Sequence, residues 1–255
     1  MEVKTMLSDI HLVQETNFNR AYWQAIQNVL KSNRIGTQFE LEPMRFGSAK
    51  APKYAYDSCQ LIELTGNAIR QVLNKEVHPL STFKSMDSYV NELTPEWLEN
   101  YQNEKDPNKK FDYTYVERLM EYANLPDVEE WGTYDQISNM FEQMDEQIKT
   151  EIASNYCQAT TWYVGLDGTH NKSSPCLQRI WSRWYPGNLI DLHFEWRSRD
   201  LIHAWQPNIV ALTQMMQNMV FEPTGCKLAR IIDFSDSLHI YKGDIDEAKR
   251  IYEVR

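Results

Sequence analysis

One cysteine of the chain lies where a polar loop leads into a predicted strand, within the segment Pro-Cys-Leu-Gln at residues 175–178. Four arginines follow Cys176 in the sequence: Arg179, Arg183, Arg197 and Arg199. A guanidinium close to a thiol lowers the thiol pKa and favours the thiolate, which is the nucleophilic form. Cys176 is therefore a candidate nucleophile, although a free cysteine is more often a buried small hydrophobe, here with the arginines on the opposite strand face.

A second polar cluster, Arg-Ser-Arg-Asp at residues 197–200, ends the next predicted strand. Arg197 and Ser198 offer a bidentate guanidinium and a hydroxyl, which together suit a phosphate group. Alternation along a strand would send Arg197 and Arg199 to one face and Asp200 to the other. The commoner interpretation of such a cluster is the solvated end of a charged strand.

Further along the chain, three polar residues lie in or beside otherwise apolar segments. Asn208 follows Pro207 at the start of an apolar stretch, where an asparagine commonly caps a helix. His239 and Tyr241 would lie on one face of a strand, since side chains two residues apart share a face. Structural residues with satisfied hydrogen bonds are the commoner interpretation of this pair. A joint function requires a fold that brings these residues to Cys176.

The elements that must position these residues are predicted from hydrophobic periodicity. Predicted helices cover residues 17–30, 96–101, 134–152 and 209–221. Predicted strands cover residues 39–42, 157–165, 177–184, 189–196, 227–232 and 237–241. The hydrophobic pattern of residues 55–73 fits either a helix or a strand. The pattern implies a mixed α+β class, and the lack of repeats and linkers implies a single domain.

The charge of the chain is unevenly distributed. It has 26 Lys+Arg and 36 Asp+Glu residues, which give a formal net charge of −10. Residues 92–151 contain 16 acidic and 5 basic side chains, which leaves 20 acidic and 21 basic side chains elsewhere. The acidity therefore describes one regional surface. It argues against nonspecific nucleic-acid binding, which needs a basic footprint, while the remainder could still bind an anion.

The cysteines and the hydropathy pattern exclude other classes of site. Cys59, Cys157, Cys176 and Cys226 are widely spaced and form no Cys-x-x-Cys pair, so we expect no metal site. No apolar run approaches the ~20 residues that cross a membrane, and no signal-peptide pattern opens the chain. We therefore expect a reduced, cytoplasmic protein without a membrane partner.

Taken together, the motifs resemble those of the thymidylate synthase family, and most of all those of its short archaeal-type branch. The resembling segments are residues 78–81 leading to Tyr89, 111–119, 135–137, 159–162, 175–178, 197–200, Asn208 and 239–241. The resemblance extends over residues 34–249 and is clearest over residues 113–241. Any one of these motifs is weak, whereas five in order are specific.

The resemblance implies a role for each residue of these motifs. The family transfers a one-carbon unit from 5,10-methylenetetrahydrofolate to C5 of a pyrimidine nucleotide. Cys176 would add as a thiolate to C6, which turns the ring into an enolate that can attack at C5. Arg197 and Ser198 would hold the 5′-phosphate, and Arg197 would also favour the thiolate. Asn208 would hydrogen-bond the pyrimidine edge, where an amide favours uracil over cytosine.

The remaining implied roles concern the sugar and the folate. His239 and Tyr241 would bind the sugar 3′-hydroxyl, and Asp200 would contact the pterin or the base side of the nucleotide. Glu63 resembles the family glutamate that organises water for proton transfer near the folate.

One departure from the family pattern concerns the phosphate. The family usually carries an arginine pair just before the strand that contains residues 159–162, and the pair reaches across a dimer to the phosphate. Here these positions are Asn155 and Tyr156. The substitutes that we expect are Arg34, Arg179 and Arg183. Without a substitute the site would be weaker, since losing one charge-assisted hydrogen bond costs about 1.5–3 kcal/mol.

The resemblance implies a single thymidylate synthase-like domain over residues 1–255, with a three-layer α+β fold around a large mixed β-sheet. Two subunits would pack sheet to sheet as a homodimer. The implied activity is methylation of dUMP to dTMP with 5,10-methylenetetrahydrofolate, without a nucleic-acid partner. Two alternatives stay open: a dUMP or dCMP C5-hydroxymethylase that uses the same thiolate and folate, and a catalytically dead nucleotide- or RNA-binding relative, which Asn155 and Tyr156 favour.

Overall fold

The computed structural model of the protein describes residues 10–32, 39–40, 54–76, 86–111, 113–122, 134–168 and 174–253. Two predicted features, Arg34 and the motif at residues 78–81, lie outside the described residues. Helices and strands are both frequent along the described chain, so the predicted α+β class is confirmed.

Eight strands form one sheet. They are β1 (Ile10–Glu15), β2 (Phe39–Glu40), β3 (Tyr54–Thr65), β4 (Gln158–Thr160), β5 (Leu177–Tyr185), β6 (Leu189–Trp196), β7 (Arg199–Asp200) and β8 (Lys227–Tyr241). Their order is β1-β3-β8-β6-β5-β4, with β2 added to β3 and β7 added to β8. β8 pairs antiparallel with β3 and parallel with β6 and β7, so the sheet is mixed, as predicted.

Nine α-helices are described. They are α1 (Phe18–Ser32), α2 (Asn67–Leu73), α3 (Met86–Asn91), α4 (Pro95–Asn103), α5 (Tyr115–Met120), α6 (Gln136–Thr150), α7 (Val164–Asp167), α8 (Trp205–Met216) and α9 (Ile245–Glu253). Side chains cap four of them, because polar residues at the N-cap satisfy free backbone amides: Asn17 caps α1, Thr94 caps α4, Thr114 caps α5 and Asp135 caps α6. Among the described helices, none combines the length and apolar character that crossing a bilayer requires.

The sequence did not predict β1, α3, α5 or α9, and the predictions for residues 55–73 and 157–165 are refined by the structure. Residues 55–73, which fitted either type, divide into β3 and α2 at Gly66, whose φ of 55° suits a residue without a Cβ. The predicted strand over residues 157–165 is shorter, because β4 ends at Thr160 and helix α7 follows after three residues. The periodicity of so short a helix is too brief to be read from sequence.

β8 replaces the two strands predicted between residues 227 and 241. It pairs Ser235 with Gln60 and Leu238 with Ser58, so two residues of β8 lie opposite one residue of β3. Such a bulge changes the direction of the side chains beyond it, and Ser235 and Leu238 are both buried although they are three residues apart. The bulge therefore decides where the end of β8 points.

The sheet has one packed face and one open face. The packed face lies under helices that include α1, α6 and α8, and it contains the core. The open face carries the alternate side chains of the same strands. Its members include Leu12, Gln14, Leu61, Glu63, Arg230, Ile232, Phe234, Asp191, His193, Glu195, Arg179, Trp181 and Arg183. Ile10 and Leu12 are 80% and 63% exposed, so this face is partly uncovered within the described chain.

Candidate active site

Cys176 ends the loop that leads into β5, and its backbone ties this loop to the Arg-Ser-Arg-Asp motif. The Cys176 carbonyl accepts a hydrogen bond from the Arg197 amide at 3.1 Å. The Arg197 side chain returns to the same loop, where Nε donates to the Pro175 carbonyl at 3.0 Å and Nη2 to the Ser174 carbonyl at 2.8 Å. The exposed guanidinium of Arg197 is therefore held beside Cys176 by the backbone.

Burial and nearby charges act on the Cys176 thiol in opposite directions. Burial raises the pKa of the thiol, whereas the charges of Arg197 and Arg199 and a hydrogen bond from Tyr113 lower it. Burial is the larger effect, so the pKa lies above the ordinary value for a cysteine. Only a small fraction of the thiol is therefore ionised at neutral pH, and the surrounding cations matter for its reactivity.

Three tyrosines outside the predicted site set lie near this thiol. Tyr89, Tyr113 and Tyr115 each interact electrostatically with Cys176, and burial raises the pKa of all three phenols. The ring of Tyr115 also meets Trp196 edge-on, with the ring centroids 6.0 Å apart. The phenols stay protonated at neutral pH and can donate hydrogen bonds. The Tyr-Thr-Tyr spacing at residues 113–115 is the sequence signal that could have identified two of them.

Asn208 lies inside helix α8 and not at its start. Its amide donates to the Ala204 carbonyl at 3.0 Å, so the N-cap interpretation of this residue is wrong. The Asn208 side chain is buried, and its Oδ1 accepts a hydrogen bond from the Tyr89 hydroxyl of α3. This bond fixes the orientation of the carboxamide and leaves the Nδ2 amino group to other acceptors.

A row of buried polar groups lies near the end of β8. The rings of His239 and Tyr241 have centroids 4.9 Å apart, and Asp57 of β3 and Asp200 of β7 are the register neighbours of His239. Burial lowers the pKa of His239 to about 4, so the imidazole is neutral at pH 7. His239 Nε2 and Asp57 Oδ1 are buried without a hydrogen-bond partner among the described residues. Because buried polar atoms normally have partners, this row suits the hydroxyl groups of a ligand.

Asp200 belongs to a group of three carboxylate and imidazole side chains. The amides of Ile202 and His203 donate to Asp200 Oδ1 at 2.8 and 3.0 Å. Asp200, His203 and Asp244 have the spacing of metal ligands, but His203 Nε2 lies 3.3 Å from Asp244 Oδ1, and this hydrogen bond raises the pKa of His203 to about 9. His203 and Asp244 therefore form an ion pair at neutral pH.

Comparison with known proteins connects this arrangement to a family. A family model described as Thymidylate synthase matches residues 22–253. The chain belongs to the thymidylate synthase family. The family predicted from the motifs is therefore confirmed.

Three archaeal proteins named "Putative thymidylate synthase" are similar to this thymidylate synthase family member. The protein of Methanothermobacter marburgensis is 28% identical over 218 residues, which cover 78% of this chain and 90% of the relative. That of Methanothermobacter thermautotrophicus is 28% identical over 221 residues, with 78% and 90% covered. That of Methanopyrus kandleri is 27% identical over 143 residues, with 56% and 61% covered.

The structure does not bring Glu63 together with Cys176. The neighbours of Glu63 in β3, Ile62 and Leu64, are fully buried under the helices, so alternation places Glu63 on the open face. There its carboxylate accepts a hydrogen bond from Gln14 and lies 3.5 Å from Arg230. In the structure the side-chain partners of Glu63 are thus Gln14 and Arg230, and its role near the folate stays a prediction.

Arg179 and Arg183 also lie on the open face. Arg179 pairs with Glu195, and the guanidinium of Arg183 lies 5.4 Å from the centroid of the Tyr185 ring. The alternation of β5 directs both arginines away from the packed face of their own chain. Contact with a nucleotide phosphate would therefore have to be made in a partner subunit.

The remaining predicted positions lie in loops. The Asn155 carbonyl accepts a hydrogen bond from Trp181 Nε1 at 3.0 Å, and Tyr156 is 79% exposed. Ser198 is half-buried between β6 and β7, next to Arg197. Ser198 thus lies where a phosphate held by Arg197 could accept a hydrogen bond from its hydroxyl.

Proposed function

We propose that this protein methylates C5 of dUMP to form dTMP, with 5,10-methylenetetrahydrofolate as the one-carbon donor. The observation that carries the proposal is the attachment of Arg197 to the loop of Cys176, because it holds an anion-binding group beside a nucleophile. The thiolate of Cys176 would add to C6 of uracil. The addition makes C5 nucleophilic enough to accept the one-carbon unit.

The phosphate would bind to Arg197 and Ser198. An arginine has five N–H donors, and the two carbonyls that hold Arg197 leave others for a phosphate. Because the guanidinium is already held in place, little side-chain entropy is lost when the anion binds. The adjacent Ser198 hydroxyl would supply a further donor.

The base would be recognised by Asn208. With Oδ1 held by Tyr89, the Nδ2 amino group would donate to O4 of uracil, and the second lone pair of Oδ1 could accept from N3–H. Cytosine carries an amino group at C4, which would face the amino group of Asn208 without an acceptor. A buried donor without an acceptor costs about 1–3 kcal/mol, which supports dUMP over dCMP as the substrate.

The sugar would bind along the polar row at the end of β8. A neutral His239 can accept from or donate to the 3′-hydroxyl, and Tyr241, whose pKa burial raises to about 12, remains a donor. Asp57 Oδ1 is a further acceptor in the same row. These groups support a nucleotide rather than a simple anion as the ligand.

Asp200 fits a contact with the pterin of the folate, because a half-buried carboxylate can accept from the N–H groups of that ring. The folate supplies the one-carbon unit and, for a methyl product, the reducing hydride. A pocket that admits water at this stage would form the 5-hydroxymethyl nucleotide instead, so exclusion of water decides the product.

We further propose that two copies of the chain pack sheet to sheet through the open face. Ile10 and Leu12 are exposed apolar residues at one side of this face, and exposed apolar patches of this kind mark interaction sites. In such a dimer Arg179 and Arg183 would lie at the interface. Light scattering that gives the mass of one chain would refute this arrangement.

The four cysteines support a cytoplasmic setting for the reaction. All four are free thiols, and disulfides are rare in the reducing cytosol. A reducing setting also protects Cys176 from oxidation, which would remove the nucleophile.

The proposed reaction is tested by incubating the protein with C5-tritiated dUMP and methylenetetrahydrofolate, then measuring tritium release and product mass. We expect dTMP from the wild type, no release from Cys176→Ser, and normal release from Cys59→Ser. Cys59 is a half-buried cysteine of β3 and serves as the matched control.

Each other outcome selects a different function. A product heavier than dTMP by one oxygen atom would identify the hydroxymethylase alternative. Nucleotide binding without tritium release from the wild type would identify a catalytically dead relative. Normal release by Cys176→Ser would refute the proposed nucleophile.

A further inference from the structure

Arg199 is a fully buried arginine in β7, two residues after Arg197. Its side chain is 1% exposed, and its Nη2 donates to Asp233 Oδ2 and, at 3.1 Å, to Ser235 Oγ. The guanidinium lies 4.2 Å from the centroid of the Trp196 ring. Trp196 pairs in the sheet with Leu177, the residue after Cys176, so the cation lies close to the nucleophile loop.

Asp233 holds this arginine in one position. Besides Arg199, Asp233 accepts hydrogen bonds from Trp196 Nε1 and Trp205 Nε1, each at 2.9 Å. A carboxylate with three donors has little freedom to reorient. The Arg199 guanidinium is therefore fixed on one side by the carboxylate and on one face by the Trp196 ring.

Two nitrogens of the guanidinium, Nε and Nη1, have no hydrogen-bond partner among the described residues. Leaving buried donors of a charged group without partners is costly, and a purely structural ion pair gains nothing from it. The groups that the Arg199 charge acts on include the Tyr115 hydroxyl and the Cys176 thiol. The buried charge thus acts on the nucleophile from inside the protein.

Arg197 and Arg199 differ in how strongly their charges can act. Arg197 is exposed, so water and salt screen its charge, and a bound phosphate would compensate it. Arg199 lies in a medium of low dielectric constant, where the same charge acts more strongly. Arg199 is buried away from solvent and from a phosphate bound at Arg197. The charge of Arg199 would therefore still act on Cys176 when the nucleotide is bound.

We propose that Arg199 is a positioning residue that stabilises the Cys176 thiolate from the interior of the protein, in addition to Arg197. The inference rests on the proposed role of Cys176 as the nucleophile. It assigns the buried Arg199, rather than the exposed Arg197 alone, to this effect. The Arg199–Asp233 pair would then adjust the pKa of Cys176 in addition to packing in the core.

The experiment is the pH dependence of alkylation by iodoacetamide, without nucleotide or folate, measured by peptide mass spectrometry at Cys176. Cys59 in the same protein is the internal reference. Arg199→Met keeps most of the packing on Trp196 and removes the charge. We expect it to slow alkylation at pH 8 by about tenfold, since an opposite charge at close range shifts a pKa by at least about one unit. Arg199→Lys should restore most of the rate.

Asp233→Asn tests the sign of the effect. It removes the charge that compensates Arg199, so the thiolate should become more stable and alkylation at pH 8 faster. A purely structural role would make Arg199→Met and Asp233→Asn change the rate in the same direction. Arg118→Met, which breaks the buried pair of Arg118 with Asp167 elsewhere in the chain, should leave the pH profile at Cys176 unchanged.

Three results would overturn the inference: an unchanged profile in Arg199→Met, an equal shift in Arg118→Met, or slower alkylation in Asp233→Asn. If Arg199→Met does not fold, the double variant Arg199→Met/Asp233→Asn isolates the Arg199 charge by comparison with Asp233→Asn, and it must show slower alkylation than Asp233→Asn alone. The assay uses no substrate. Loss of the proposed methylation activity would therefore be seen separately, as absent tritium release with an intact alkylation profile.

Discussion

The surroundings of Cys176 and the open face of the sheet both contain arginines and carboxylates, but these charges differ in how far they are exposed to solvent. On the open face, Arg230 contacts Glu63 and Asp191, and Arg179 contacts Glu195, so the charges are paired near solvent. Near Cys176, the Arg199 side chain is only 1% exposed and His239 is neutral. Surface pairs contribute little and are screened by salt, whereas a buried charge changes the chemistry of its neighbours. Position relative to solvent thus determines how strongly the charge of an arginine acts on its neighbours.

The largest difference between the two regions is expected in dUMP affinity when an arginine of each region is replaced by alanine. Arg197→Ala should weaken dUMP binding by about 10- to 100-fold, because charge-assisted hydrogen bonds to a phosphate are lost. Arg179→Ala should weaken it by less than about threefold, since Arg179 is partly exposed and paired with Glu195. Calorimetric titration of each variant with dUMP measures both. Equal losses would mean that the open face completes the phosphate site across a dimer.

A smaller effect is expected at the Tyr89–Asn208 hydrogen bond. Tyr89→Phe frees the Asn208 carboxamide to rotate and present its oxygen, so the preference for dUMP over dCMP should fall about fivefold, as for one lost hydrogen bond. Competition binding with the two nucleotides measures the ratio. Tyr185→Phe in β5 is the control and should keep the wild-type preference. A dUMP preference that survives Tyr89→Phe would show that this bond does not orient the amide.

The smallest effect is expected on stability, at Asp57. Burial raises the pKa of its carboxyl to about 6, above the value in the unfolded chain. The group therefore favours folding at low pH, and this contribution is lost as the pH rises through about 6. Asp57→Asn should raise the melting temperature at pH 7.5 by about 3 °C and change it little at pH 4.

Scanning calorimetry at the two pH values checks this expectation, with Asp236→Asn as the exposed control. An equal gain at both pH values, or a loss at pH 7.5, would show that the Asp57 carboxylate is stabilised by its surroundings. The same variant should bind dUMP more weakly if Asp57 accepts from the sugar.

The proximity of Arg197 to Cys176 could be predicted from the sequence, because the two residues lie at the ends of two strands joined by a short turn. Arg197 follows Cys176 in the adjacent strand, and a strand pair brings such residues together whenever the turn between them is short. Four of the nine described helices, α1, α4, α6 and α8, also correspond to helices predicted from periodicity. Patterns within short stretches of sequence were thus enough to predict this contact and these helices.

Other features depend on pairings between distant segments. Glu63 and Arg179 were assigned to the site from the motif pattern, but which face of a strand turns inward depends on register, and sequence does not determine register locally. Arg199 contacts Asp233 because β7 pairs with β8, and the sequence spacing of the two residues does not predict this pairing. The bulge in β8 likewise changes the direction of the residues beyond it. These are tertiary effects.

The position of β8 has a consequence for how the protein is made. β8 is the last strand in chain order, yet it lies in the middle of the sheet, between β3 and β6. While a ribosome synthesises the chain, β3 and β6 have no common neighbour, and their edges stay open until residues 227–241 have emerged. The two parts of the sheet therefore join only after residues 227–241 have been synthesised. During that interval the nascent strands are exposed to misassociation, and we expect chaperones to protect them.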